Sequence, residues 1–359
     1  MSKAAELANL IGNINAGGGG VNRNVIINGA MNVAQRATSA TGLGGSGGSD
    51  GYNTCDRWST FFNTSGALTM SQDSSAPSGF ANSLKFDCTT ADTSVANNEY
   101  IILSNRIEGQ NLQSFAKGTS DAKPFAVSFY VKGNASATYV CELFDIDNSR
   151  QISKTFTVGT DWSRVELIFP ADTTGAFDDD NARSLDLSIW LHAGNDYTSG
   201  TINSSAWASY SNATRIGSGT TSFVDSTDRT FFLTGVQLEP ISVTEFEHRS
   251  FAEELTLCQR YYEYVWWDNT TGQRGLVNLG QEYQSRKYMS PIYWKVEKRV
   301  NPTVGNVVFA VDQGDSNFTF TGVVGKSFLS FHNTSSSPSI GSSDISFSPQ
   351  SAIYGDAEL

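Results

Sequence analysis

At 359 residues the chain is long enough for two or three domains, and only 17% of its residues are charged, against about a quarter in ordinary soluble proteins. The formal net charge of -12 opposes binding to phosphate backbones and anionic lipid headgroups, so we expect no nucleic-acid partner and no membrane insertion. Abundant Gly, Ser, Thr and Asn, with 12% aromatic residues, predict many short strands joined by polar turns instead of a helix bundle.

The first 22 residues predict a short N-terminal helix followed by a flexible tether. One helix face collects the apolar residues Ala4, Leu7, Ile11 and Ile14. A helix of about a dozen residues is marginal alone in water, and the "AGGGG" run after it separates it from the rest of the chain. Two interpretations stay open: a frayed terminal helix, or a docking or oligomerisation segment that uses these four residues.

Residues 23–245 predict a jelly-roll β-sandwich, which makes the fold class mainly β. Apolar residues alternate in the segments "SLKFDC", "FAVSFYV", "LDLSIWL" and "FFLTGVQL". Turn signals separate these segments, and no stretch of this region keeps a 3.6-residue period for long. Antiparallel strands without crossover helices are therefore expected.

A polar loop in this domain, residues 195–221, carries three aromatic residues: Tyr197, Trp207 and Tyr210. Exposed rings on a loop offer flat apolar faces on which sugar rings can stack. These three are our candidate glycan-binding residues. The alternative for Trp207 is packing within its own loop, and Trp190, which lies in a strand segment, is assigned to the core.

The segment 246–265 predicts a helix that links two domains. Ser250 and Glu253 have the spacing of a capping box. The candidate interdomain or oligomer contacts on this helix are Phe251, Leu255, Cys258, Tyr261 and Tyr262. A helix with so much apolar surface must pack against other elements. Strand-like segments resume afterwards, so residues 266–359 predict a smaller C-terminal β domain.

The chain lacks the common motifs of catalysis and phosphate binding: GxSxG, HExxH, the Walker loop and a GxGxxG after a strand. Its four cysteines and three histidines share no metal-ligand spacing, so the cysteines are predicted to be buried free thiols. The acids at 178–180 could bind calcium, but a solvated turn is favoured because consecutive acids cannot all point inward. We therefore expect a non-enzymatic protein without cofactor or metal, with calcium as the one possibility left open.

Several stretches of the chain carry a resemblance to a known family. They are "NVIINGAMNVAQRAT", "DRWS", "RIEGQNLQSF" and "FLTGVQLEPISVTEFEHRSFAEELTLCQRYYEYV". They resemble bacteriophage tail-fibre and related virion-appendage proteins that contain a carbohydrate-binding-module-like jelly roll. The resemblance implies a homotrimer whose N-terminal segment docks onto other phage virion proteins and whose β domains face outward. It implies no catalytic residue.

The leading hypothesis is a trimeric phage tail fibre, an adhesin that attaches to host surface polysaccharide. The N-terminus lacks the features of a signal peptide and no run of about eighteen apolar residues occurs, which predicts synthesis in a cytoplasm. The resemblance implies that this is the host cytoplasm and that the protein has its place on the virion. The second hypothesis is a capsid or tail decoration or adaptor protein without a host-binding role. The third is a capsule depolymerase, which neither the motifs nor a β-helix repeat supports.

Overall fold

The computed structural model describes residues 22–45, 50–266, 282–284, 287–305, 309–311, 320–333, 345–347 and 353–359. The candidate docking residues Ala4, Leu7, Ile11 and Ile14 lie outside this part of the chain. Two compact units form, one up to Glu254 together with Leu359, and the other over residues 255–358. No helix among the described residues is long and apolar enough to cross a membrane.

The first unit is built almost entirely from strands. They are β1 (Ser39–Gly44), β2 (Gly51–Tyr52), β3 (Trp58–Asn63), β4 (Ala67–Asp73), β5 (Ser83–Thr90), β6 (Tyr100–Glu108), β7 (Phe125–Gly133), β8 (Ala137–Asp145), β9 (Arg150–Val158), β10 (Ser163–Phe169), β11 (Arg183–Ala193), β12 (Ala208–Ser209) and β13 (Thr230–Pro240). The short helices given for its described residues are α1 (Asn195–Thr198) and the 3-10 turns Gly109–Asn111, Gln113–Phe115 and Asn212–Thr214.

These strands form two antiparallel sheets. One has the order β1-β4-β5-β13-β7-β10, and the other β12-β9-β8-β11-β6-β3-β2. The inner faces of both sheets contribute to one hydrophobic core, which identifies a β-sandwich. The prediction of a mainly β sandwich is therefore confirmed, and its four quoted segments coincide with β5, β7, β11 and β13.

The alternation of side chains shows which faces are covered. In β5, Leu84, Phe86 and Cys88 are buried while the residues between them are half-buried, as expected for a sheet with one face in water. In β11, every residue from Ser184 to His192 is buried. Other segments of the protein must therefore cover the outer face of β11 as well as its inner face.

The segment that carries the phage resemblance closes the sandwich through hydrogen bonds. The Glu247 carboxylate accepts the amide of Asn24 at 2.9 Å, and Arg249 donates to the carbonyl oxygens of Asn24 and Ile26. Glu254 lies 3.5 Å from the Arg249 guanidinium. These charged residues of the "FEHRSFAEE" stretch therefore hold the first described strand-like segment in place, which is a structural role.

The helix is shorter than the sequence predicts. Helix α2 spans Phe251–Gln259, and the Ser250 hydroxyl accepts the Glu253 amide at 3.2 Å, as the capping box requires. The prediction of a helix to residue 265 is wrong, because "YEYVW" forms strand β14 (Tyr262–Trp266). Alternating aromatic residues fit a pleated strand better than a helix, where they lose side-chain freedom.

The candidate contact residues of α2 differ in burial. Phe251, the first residue of the helix, is 59% exposed within this single chain. Leu255 is half-buried. Cys258, Tyr261 and Tyr262 are buried within this single chain. A substitution at these three positions would thus disturb the core of the chain itself, whatever the oligomeric state.

The second unit is also β in its described part. Besides β14, its strands are β15 (Glu282–Gln284), β16 (Lys287–Tyr293), β17 (Thr303–Gly305), β18 (Phe309–Val311), β19 (Phe320–Val324), β20 (Phe328–Asn333), β21 (Ile345–Phe347) and β22 (Ile353–Asp356). They pair in the orders β14-β22-β17, β15-β16-β20-β19 and β18-β21. A buried ion pair between Lys298 and Glu263 stabilises this unit internally.

The four cysteines, Cys55, Cys88, Cys141 and Cys258, are free and buried, which confirms that prediction. Burial raises the pKa of the Cys55 thiol to about 12, with a further contribution from the neighbouring Asp56 carboxylate. Burial also raises the pKa of the Cys141 thiol. These thiols are therefore unreactive as nucleophiles at neutral pH, since the thiolate is the reactive form.

Candidate functional site

The outer face of the seven-stranded sheet carries a groove with a volume of about 350 Å³. Along β6 and β11, residues such as Leu103 and Leu187 point into the core, and the alternate residues face the groove. We call this surface the outer groove. Its lining residues are Phe61, Tyr100, Ile102, Ser104, Arg106, Phe144, Arg183, Asp186, Ser188, Trp190, Tyr197, Tyr210, Asn212 and Arg215.

One wall of the outer groove is the polar loop that follows β11. Trp190, Val140 and Ile216 form a small apolar cluster outside the main core, and Tyr197 packs against it. Hydrogen bonds across the loop and between the loop and β9 complete the attachment, for example from the Asn203 side chain to the carbonyl oxygen of Gln151 at 2.9 Å. The loop therefore has a defined position over the sheet and covers the outer face of β11.

Aromatic rings occupy both the floor and the wall of the outer groove. The Tyr197 ring centroid lies 5.3 Å from that of Trp190 and 5.8 Å from that of Tyr100, with the two tyrosine rings perpendicular. Farther along, Phe144 and Tyr210 lie with their centroids 5.2 Å apart. The contact between Tyr100 and Tyr197 is edge-to-face and the other two are tilted, and such contacts restrict the orientation of the rings.

A buried ion pair supports the centre of the groove. The Arg215 guanidinium donates two hydrogen bonds to the Glu142 carboxylate, at 2.7 and 2.6 Å, and the Trp190 indole N–H donates to the same carboxylate at 2.8 Å. The guanidinium carbon lies 4.5 Å from the centroid of the Trp190 ring. Burial lowers the pKa of Arg215, but the charge and hydrogen bonds of Glu142 outweigh it and raise the pKa overall. Arg215 therefore stays cationic.

Polar groups line the other part of the groove. Arg183 donates to the Asp186 carboxylate, with 2.6 Å between Nε and Oδ1, and the hydroxyl oxygens of Ser104 and Ser188 lie 3.1 Å apart. Arg106 stacks over Phe61, its guanidinium carbon 4.6 Å from the ring centroid. Donors and acceptors in fixed positions thus alternate with aromatic surface.

The structure brings two of the three candidate glycan-binding residues together. Tyr197 and Tyr210 line the outer groove, and Tyr210 is 42% exposed. The expectation of an exposed ring is wrong for Trp207, which is 7% exposed, donates its indole N–H to the carbonyl oxygen of Pro170 at 2.9 Å and packs against Phe125. Trp207 directly precedes β12, whose pairing with β9 directs the indole into the core. Trp207 is therefore a packing residue, although it packs into the main core of the sandwich and not within its own loop.

Sequence reasoning missed several residues of the outer groove, although the strand pattern around Trp190 was informative. In "LDLSIWL" the four apolar residues Leu185, Leu187, Ile189 and Leu191 hold one register, so Trp190 falls in the other register together with Asp186 and Ser188. A tryptophan in the polar register of a strand is a pattern that would have indicated the groove floor. No comparable signal marks Arg215, whose partner Glu142 is distant in sequence.

The acidic loop near residue 178 lies beside the buried ammonium group of Lys117. The Lys117 ammonium lies 2.6 Å from Asp145 Oδ2 and 3.2 Å from Asp172 Oδ2, and it donates to the carbonyl oxygens of Thr174 and Gly175 at 2.9 and 2.7 Å. The acids at 178–180 are exposed. Among the described residues, no group of three or more His, Cys, Asp or Glu side chains is placed to hold a metal ion.

No protein-family model matches the chain, and no curated protein matches it either. Among solved structures, the enzymatically active domain of tailspike protein 4 of bacteriophage CBA120 matches at 10% identity with a TM-score of 0.31, over 61% of this chain and 22% of that chain. A family 11 carbohydrate-binding module from Clostridium thermocellum, in complex with a β-1,3-1,4-mixed-linked tetrasaccharide, matches at 12% identity with a TM-score of 0.28, over 58% of this chain and 97% of the module. Identities and TM-scores this low assign neither a family nor a function to the chain.

Proposed function

We propose that this chain is a carbohydrate-binding protein and that the outer groove holds the saccharide. One observation carries the proposal: the groove places the Tyr197 and Tyr210 rings beside guanidinium, carboxylate and hydroxyl groups whose positions are fixed, and the buried Trp190 ring supports them. Ligand sites generally combine apolar and aromatic lining with a few oriented polar groups. A sugar ring presents C–H groups on its faces and hydroxyls at its edge, which matches both kinds of lining.

The carboxylates at the groove support binding over cleavage of the saccharide chain. Glycoside hydrolysis requires two carboxyl groups, one to donate a proton and one to act as base or nucleophile. Here Asp186 is held by Arg183 and Glu142 by Arg215, each through two hydrogen bonds. Both carboxylates thus act as structural anions, and the depolymerase hypothesis receives no support from them.

Replacing Tyr210 with alanine is expected to raise the dissociation constant of the bound saccharide about fivefold, because an aromatic contact is worth roughly 1 kcal/mol. The ligand would first be found on an array of bacterial surface polysaccharides, and Kd then measured by calorimetry. The matched control is Tyr293→Ala, which removes a tyrosine that is 70% exposed in the other unit. An unchanged Kd for Tyr210→Ala would remove this ring from the site.

We further propose that the chain acts as part of a phage particle, as a trimeric tail fibre that attaches to host surface glycans. The resemblance of its sequence blocks to virion-appendage proteins supports this placement. Sedimentation of the purified chain is expected to give the mass of a trimer. A protein that binds no saccharide on the array but is retained on tail or capsid proteins through residues 1–22 would instead favour the decoration or adaptor hypothesis.

A further inference from the structure

A second pocket, of about 330 Å³, lies next to the outer groove on the other side of α1. Its lining residues are Val95, His192, Ala193, Gly194, Asn195, Thr198, Thr220, Thr221 and Ser222. We call it the serine pocket. The sequence has no recognisable motif here, because the residues that meet in the pocket come from β11, α1 and two separate loops.

Three side chains at the serine pocket form a continuous hydrogen-bonded row. The Ser222 hydroxyl oxygen lies 2.8 Å from His192 Nδ1, and His192 Nε2 lies 3.1 Å from Glu99 Oε2. An ionised carboxylate only accepts hydrogen bonds, so His192 carries its proton on Nε2 and leaves Nδ1 as an acceptor. Ser222 must then donate its proton to Nδ1, and its oxygen accepts the Val224 amide at 3.2 Å.

The row is rigidly supported. His192 is fully buried on β11, and Glu99, just before β6, is almost buried. The Phe223 amide next to Ser222 donates to the carbonyl oxygen of Leu191 at 2.8 Å, so the serine loop is tied to the strand that carries the histidine. Preorganisation of this kind, in which contacts with a strand fix the side chains, is what catalytic groups require.

The protonation state of His192 also suits a base. Burial lowers the pKa of His192 below its ordinary value of 6.5, although the charges of Glu99 and Asp92 act in the opposite direction. The imidazole is therefore neutral at pH 7 and can accept a proton. A nucleophile, its base and a group that orients the base are the three parts of a serine hydrolase centre, which is recognised by geometry and not by chain order.

We propose that Ser222, His192 and Glu99 form a hydrolytic centre for esters of small carboxylic acids. Ser222 Oγ attacks the ester carbonyl and forms a new C–O bond while its proton passes to His192 Nδ1. The ester C–O bond then breaks, and the alcohol leaves with that proton. Water then attacks the acyl-serine carbonyl while one of its protons passes to His192 Nδ1. The acyl C–O bond to Ser222 breaks, the acid is released, and Ser222 Oγ takes the proton back. Glu99 is a positioning residue, since it acts through His192.

The neighbouring groove indicates which esters would reach this centre. Helix α1 separates the two cavities: Tyr197 lines the outer groove, and Asn195 and Thr198 line the serine pocket. A saccharide that extends from the groove past α1 into the serine pocket would present an O-acyl substituent to Ser222, so the substrate class is an O-acetylated polysaccharide. This substrate assignment, unlike the hydrolytic centre itself, rests on the proposed function.

The centre is tested on the purified full chain with p-nitrophenyl acetate and a fluorophosphonate probe. The wild type should turn over the ester and be labelled at Ser222. Ser222→Ala and His192→Asn should each lower kcat/KM at least about 100-fold, because nucleophile and base contribute factors of this size. Ser218→Ala and His248→Asn, at exposed positions away from the row, serve as matched controls. Absence of turnover and labelling in the wild type, or equal turnover by Ser222→Ala, overturns the proposal.

The role of Glu99 has a separate readout. Hydrolysis should rise with pH as His192 loses its proton, with an inflection below pH 6.5. In Glu99→Gln the favourable charge on the imidazolium is lost, so the inflection should move to lower pH and kcat should fall. A reduced rate with an unmoved inflection would contradict the positioning role. Circular dichroism at each pH confirms that the variant remains folded.

Two further measurements separate this proposal from the proposed function. Acetate release from an O-acetylated polysaccharide requires both the groove and the centre, whereas hydrolysis of p-nitrophenyl acetate requires only the centre. Turnover of the small ester without saccharide binding on the array would support the hydrolytic centre and contradict the groove assignment. Saccharide binding without turnover of either ester would support the groove assignment and contradict the hydrolytic centre.

Discussion

Replacing Lys117 with methionine is expected to lower the free energy of unfolding by about 3–5 kcal/mol, because breaking a buried ion pair leaves an uncompensated charge. Lys117 and Asp145 are both fully buried, with 2.6 Å between the ammonium and the carboxylate. Asp172 keeps a second partner, Arg150, at 2.7 Å, so most of the loss should arise at Asp145. Methionine has a similar length, which limits the contribution of a new cavity.

Urea unfolding followed by fluorescence measures this loss. The matched control is Lys85→Met, since Lys85 pairs with Asp87 at 2.9 Å but both are partly exposed, and such pairs are worth about 0–1 kcal/mol. If Lys117→Met lowers the free energy of unfolding as little as the control does, the buried ion pair contributes no more to stability than the exposed one. Adding calcium to Lys117→Met also tests whether Asp145 and Asp172 bind a metal ion once the Lys117 ammonium is removed.

The second large effect is expected at Glu142, which lies fully buried beneath the outer groove. Glu142→Leu leaves the Arg215 guanidinium and the Trp190 indole N–H without their acceptor. We expect a loss of about 3–5 kcal/mol in stability and loss of detectable saccharide binding, because Arg215 must leave its position over the Trp190 ring.

A double variant separates stability from binding. Combining Glu142→Leu with Arg215→Met replaces the whole ion pair by apolar side chains, which is often neutral or stabilising. Its unfolding free energy should rise above that of Glu142→Leu but stay about 1–3 kcal/mol below that of the wild type, because the buried Trp190 indole N–H still lacks its acceptor. Saccharide binding should stay absent. Calorimetry and urea unfolding on the same three proteins provide both readouts. A double variant that binds as tightly as the wild type would show that the groove does not need its guanidinium.

The sandwich could be predicted because its strands repeat an apolar residue at every second position, as Leu84, Phe86 and Cys88 do in β5. The side of the sheet that carries function was harder to predict. Trp190 is buried, as predicted, but in a small apolar cluster on the outer side of the sheet and not in the main core. Trp207 was placed in solvent, although the structure directs its ring inward. The polar residues around Trp207 therefore gave the wrong prediction of its exposure, and strand register would have shown on which side of the sheet Trp190 lies.

The charged contacts could not be predicted from sequence. Glu142 and Arg215, or Glu99, His192 and Ser222, meet only because non-adjacent strands pair and loops return over the sheet. With 36 acidic and 24 basic residues, spacing along the chain does not select the pairs that form. The helix limit failed for a related reason: Tyr262 and Tyr264 fit both a helix face and a strand, and pairing with β22 decides between them.

The hydrogen bonds near the two ends of the first unit determine how it would respond to a pulling force. Asn22 donates to Glu247, and Asn28 to Glu254, both at 2.5 Å, so the chain enters and leaves the unit at neighbouring points. Tension applied between these points passes through a few contacts and bypasses both sheets. The β-sandwich would thus stay mechanically unloaded until those contacts break, and a ligand held on its outer face would not be distorted by strain along the chain.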